Sequence, residues 1–74
     1  MTTKASATTT DLGLMIRDFT ECRWFDTFDI VNGDYEMKGP RQITEVDISD
    51  PDNPVVYLDN GQTFTIRIIA GGGL

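Results

Sequence analysis

Twelve aspartates and glutamates, one thiol (Cys22) and no histidine set the limits on chemistry in this chain. Without histidine, neither a Ser-His nor a Cys-His nucleophile can be assembled. One cysteine and no histidine also leave too few soft ligands for zinc. Asp26, Asp29 and Glu36 fall near one another and could in principle share acid–base work. They read as solvated strand carboxylates, with no apolar pocket to raise a pKa toward neutrality. The run Asp47-Ile48-Ser49-Asp50-Pro51-Asp52-Asn53 is dense in the oxygen ligands calcium prefers. Its spacing departs from an EF-hand loop, because Pro54 stands where a ligand should be and no glutamate closes the site. Short Asp and Asn side chains that bond their own backbone make it a turn instead. Gly71-Gly72-Gly73 leads into no helix and carries no lysine, so it is no phosphate loop. The expectation is a non-enzymatic protein with no metal and no cofactor.

Aromatic residues offer a second kind of chemistry, base stacking. Trp24, Phe25, Phe28, Tyr35, Tyr57 and Phe64 could form a platform for single-stranded nucleic acid. Most are spaced as core residues and lack basic flanks. A net charge of −6 repels phosphate backbones, so direct nucleic-acid binding is not expected. Cys22 reads as a small buried apolar side chain. A single unpaired cysteine suits a reducing compartment. Met1 to Thr10 lacks an apolar leader segment and no apolar run could span a bilayer, so the reading is cytoplasmic.

Phe64-Thr65-Ile66-Arg67-Ile68-Ile69-Ala70-Gly71-Gly72 resembles the ending of ubiquitin-like sulphur-carrier proteins, where a last strand runs into Gly-Gly. The resemblance covers about nine residues. It implies a terminal glycine carboxylate that is adenylated and then carries the transferred group. Gly73 and Leu74 follow, so trimming would be required, and the hairpin–helix–strands order of that family is not seen.

The elements that must position these residues are legible from alternation. Residues 1–10 carry no large apolar side chain beyond Met1 and read as a disordered tail. From Asp11, taken as N-cap, Leu12, Met15, Ile16, Phe19 and Cys22 recur at helical spacing. A short helix is preferred to a strand through Leu12, Leu14 and Ile16, although Gly13 weakens the first turn by about 1 kcal/mol. Two Asn-Gly pairs, Asn32-Gly33 and Asn60-Gly61, sit between alternating runs and predict type I′ hairpins. The first opposes Phe28 to Met37 and Ile30 to Tyr35 on one apolar face that Trp24 extends. It also sets Asp29 opposite Glu36, an unfavourable like-charge pair. Gly39-Pro40 then ends the strand, and Gln42–Ile48 forms a separate one. The second hairpin places Val55, Tyr57, Phe64, Ile66 and Ile68 inward.

The fold expected is therefore a small, strongly bent antiparallel sheet of five to six strands, similar in outline to an SH3-like barrel. It occupies residues 11–70 as one domain, with a short N-terminal helix and a flexible Gly-rich end at 71–74. The reverse of the second hairpin (Val56, Leu58, Thr65, Arg67 and Ile69) is unusually apolar for a solvated face. Either a second layer covers it or another protein does. Phe25, opposite Trp24, faces the same choice. These six residues are the candidate partner-binding site. The partner expected is another protein, basic and blocked by charge mimicry, or a second copy forming a homo-oligomer.

Overall fold

The computed structural model describes residues 5–72. The chain forms α1 (Thr9–Thr20), β1 (Trp24–Val31), β2 (Asp34–Asp47), β3 (Val55–Leu58) and β4 (Thr63–Thr65). The four strands make one antiparallel sheet in the order β1-β2-β3-β4, curled strongly into a half-barrel.

Helix α1 begins earlier than its apolar stripe suggests. Thr8, not Asp11, is the N-cap: its hydroxyl accepts from the Asp11 amide at 3.1 Å, and the Asp11 carboxylate accepts from the Thr8 amide at 2.8 Å. This reciprocal box satisfies two otherwise unpaired helix donors. Thr8 to Thr10, expected in the tail, thus belong to the helix start. At the other end Glu21 (φ −60°, ψ 133°) and Cys22 (φ 66°) form a turn closed by the Arg23 amide on the Thr20 carbonyl at 3.0 Å. These are the angles of a type II turn. Its third position forces Cys22 outward, so the thiol is exposed and not buried as expected.

The first hairpin has the expected register, with Phe28 opposite Met37, Asp29 opposite Glu36 and Ile30 opposite Tyr35. Asn32 and Gly33 carry φ of 53° and 83°, both left-handed as a type I′ turn requires. The strand count differs from expectation because Gly39-Pro40 does not end β2. Lys38 is an extra residue there, with Phe28 paired to Met37 and Thr27 already paired to Gly39. The bulge absorbs the irregularity, and β2 runs on for 14 residues. Beside Pro40 it has a neighbour on the β1 side only, since β3 pairs from Ile43 onward. The missing proline donor therefore need not interrupt the sheet.

The second hairpin departs by one residue. Leu58 and Gln62 close it, with the Leu58 amide on the Gln62 carbonyl at 2.9 Å and the Gly61 amide on the Leu58 carbonyl at 3.1 Å. Gly61 alone of the loop is left-handed, at φ 88°. This is a three-residue loop ending in a glycine bulge, not a two-residue type I′ turn. Val56 now opposes Phe64 and Val55 opposes Thr65. A one-residue slip moves every side chain of one strand to the other face relative to its partner. Val56 and Leu58, expected on the reverse face, therefore point inward.

The buried apolar core consists of Val46, Val56 and Leu58, exposed by 3%, 8% and 8%. Ile16 of α1, Ile43 and Ile48 pack on its edge. A second shift, between Ile43 and Glu45, sets Ile43 on the same side as Val46 three residues later. Helix α1 also presses on the 49–54 loop. A Cβ at Gly13 would fall 1.8 Å from the Pro51 carbonyl oxygen, so only glycine permits that approach. The Thr9 and Thr10 hydroxyls donate to Asp52 at 2.7 and 3.1 Å, holding an anion at the positive end of the helix.

Candidate protein-binding surface

The hairpin of β1 and β2 projects from this body as an arm. The molecule spans 51 × 29 × 21 Å with a radius of gyration of 15.7 Å, against about 11 Å for a compact domain of this length. Period-two alternation along β1 sets Trp24, Phe28 and Ile30 on one face, and the observed register adds Tyr35 and Met37 from β2. The Phe28 and Tyr35 rings meet edge to face, with centroids 6.4 Å apart. All five side chains are between 50% and 74% exposed. The sequence reading assigned this face to the core. The core instead forms on the other side of the sheet, where Phe25 and Ile43 point.

The arm's charges lie mostly on its reverse. Asp29 and Glu36 oppose each other there, as expected. The bulge brings Lys38 within 3.4 Å of Asp29, which offsets that repulsion. Asp26, between Trp24 and Phe28 in the alternation, is the charged position of β1 on the apolar side.

A second apolar surface is the open mouth of the half-barrel. Ile16 and Thr20 of α1, Phe25, Ile43, Val56, Leu58, Phe64 and Ile66 line a hollow of about 330 Å³. Of the six candidate contact residues, Phe25, Val56 and Leu58 come together here. Val56 and Leu58 form its floor as buried core, so the helix supplies the covering layer. Phe25, 38% exposed, lines the hollow together with Ile16 and Thr20 of the helix. Thr65, Arg67 and Ile69 lie exposed and apart from this hollow. Sequence reasoning missed the arm face as a surface because its residues alternate just as core residues do.

Just past its last turn, helix α1 is tied to this side of the sheet by the Cys22 amide, which donates to the Ile43 carbonyl at 2.8 Å, and by Glu21. The Glu21 carboxylate accepts from the Val46 amide at 2.9 Å, at a point where β1 has already left β2. The C-terminal segment is tied down likewise, with the Ile66 and Ile68 amides on the carbonyls of Pro54 and Asp52 at 2.9 and 3.1 Å.

The carboxylates of the 47–53 loop are engaged locally. Asp47 Oδ1 accepts from the Ser49 hydroxyl at 2.7 Å and from its amide at 2.8 Å. The hydroxyl bond first, and the amide bond second, hold the Asp47 carboxyl below the ordinary aspartate range. Asp50 accepts from the Asp52 amide and the Asn53 side chain. Among the described residues, no group of three or more His, Cys, Asp or Glu is placed to hold a metal. No helix among them is long and apolar enough to cross a membrane.

The glycine tail departs from the carrier resemblance at the level of fold, since α1 precedes both hairpins. Gly73 and Leu74 lie outside the described residues. The chain matches no protein-family model, no curated protein and no solved structure.

Proposed function

We propose that this chain is a non-enzymatic protein-binding module that docks through the apolar face of the β1–β2 arm. One observation carries the reading: Trp24, Phe28, Ile30, Tyr35 and Met37 share a face, and each is at least half exposed. Single exposed apolar residues are ordinary, but a contiguous row of five marks a contact surface. Aromatic and methionine side chains are also the types enriched at the centres of interfaces. The surrounding chemistry agrees. An acidic surface with −6 overall keeps the rest of the molecule soluble.

The contact is thus moved from the reverse of the second hairpin, where Val56 and Leu58 are core, to the arm. The test is site-specific photo-crosslinking in the native cell. A photo-reactive phenylalanine replacing Tyr35 should yield a discrete protein adduct, and one replacing Glu36, on the opposite face, should not. Equal labelling from both positions, or none from position 35, would remove the proposal.

A further inference from the structure

Resting on that reading, we infer that the occupant of the arm face is a second copy of this chain, packed face to face about a two-fold axis.

Three observations select a copy of the same chain. The first is the size of the core. Among the described residues four side chains, Val46, Pro54, Val56 and Leu58, are buried in a 74-residue chain, and small domains with so little interior need a staple or an oligomer. A cover required for stability must be present whenever the protein is, and a second copy always is. The second is charge. Asp26 is the charged β1 position on the face, while Asp29, Glu36 and Lys38 turn away. An apolar strip is complementary to itself, as an isologous contact requires. A surface built to hold a basic foreign partner would present its acids, and this one turns Asp29 and Glu36 away and keeps Asp26 alone of the β1 acids. The third is area. With large side chains presenting about 150–250 Å² each, the five exposed residues offer on the order of 600 Å² per copy. Two faces then bury on the order of 1,200 Å², the lower end of specific protein interfaces. Two ribbons stacked about 10 Å apart make a small four-stranded sandwich, an ordinary way for sheets to hide apolar faces.

Charge gives this pairing a signature. Each copy carries −6, so association works against repulsion and added salt strengthens it. Docking on a basic partner has the opposite dependence.

The experiment is analytical ultracentrifugation of the full chain. The expected result is a closed species of twice 8.2 kDa. Its dissociation constant should fall roughly fivefold between about 50 mM and about 500 mM NaCl. Tyr35→Glu should weaken it roughly thirtyfold or more, and Glu36→Gln on the reverse face should not weaken it. In case Tyr35→Glu fails to fold, the unmodified chain supplies a second readout. Its urea midpoint should rise over about a hundredfold range of protein concentration. A monomer at every concentration and salt, with a concentration-independent midpoint, overturns the inference. Species that grow beyond two also overturn it, because an isologous contact closes. A monomer whose position-35 crosslink in the cell goes to a different protein overturns the second copy but keeps the binding module. A monomer with no such crosslink removes both.

Discussion

Gly13 is the residue on which the helix depends most. By propensity alone it should be replaced, since alanine is favoured by about 1 kcal/mol inside a helix. The Pro51 carbonyl, 1.8 Å from where a Cβ would stand, reverses that preference. A backbone atom cannot swing aside as a side-chain tip can, so Gly13→Ala should lower stability by about 1–3 kcal/mol despite better propensity. Urea denaturation measures this; a gain in midpoint would show that α1 does not press on the 49–54 loop. Sequence offered only half of this residue, its cost. The partner across the contact lies 38 positions away (51 − 13) and no local pattern announces it. Cys22 teaches the same lesson in reverse. Its place on the apolar stripe pointed inward, but the helix ends at Thr20, and the turn that follows needs a left-handed residue there. Turn geometry overrode periodicity.

Among elements, the junction of α1 with the sheet is held by a few apolar contacts and by polar ones just past the helix end, the Cys22 amide on the Ile43 carbonyl at 2.8 Å and the Val46 amide on Glu21. Glu21 supplies the acceptor that β1 no longer gives to the Val46 amide. Glu21→Ala would leave that amide, in a nearly buried residue, without its partner, at a cost of about 1–3 kcal/mol. Hydrogen exchange at Val46 should then quicken, while exchange in the arm beyond Thr27 stays unchanged; a uniform loss of protection would mean instead that helix and arm unfold as one. The strands show how far alternation can be trusted. Asn32-Gly33 was legible in full, turn type and register together, because both residues adopt the left-handed angles that pair favours. Asn60-Gly61 has the same letters and a different turn. An Asn-Gly pair also fits a three-residue loop in which only glycine is left-handed, and Asn60 further bonds the Gln62 amide at 3.0 Å. That one-residue difference exchanged the inner and outer faces of Val56 and Leu58, two of the six expected contact residues. The two register shifts in β2 were equally silent. One strand of 14 residues read as two because Gly39-Pro40 looked like an end, whereas the bulge at Lys38 and the single neighbour beside Pro40 let it continue.

At the scale of the whole molecule, the class of fold was legible and its interior was not. A curled antiparallel sheet with one short helix follows from hairpins and an apolar stripe, but which of two apolar faces becomes core depends on where the helix lands. It lands on the Phe25 side, leaving Trp24 and its neighbours uncovered. The charge of the molecule sets its pH profile. With −6 at neutrality and an isoelectric point of about 4.2, repulsion within the folded chain is relieved as acid is added. Asp47 works the other way. Its carboxyl is held below the ordinary range by Ser49, so the unfolded chain takes up the proton first. That contribution is complete above the unfolded aspartate value and is lost as pH falls through the folded one. With no histidine, almost nothing titrates between about pH 7 and about pH 5, so stability should stay level there and decline below as the Asp47 contribution is lost. Urea midpoints measured from about pH 7 down to about pH 3 test this, and Ser49→Ala should lower the neutral midpoint and soften the acid decline, so that the two curves converge in acid. A midpoint that rises below about pH 5 would show that relief of net repulsion outweighs the loss of the Asp47 contribution.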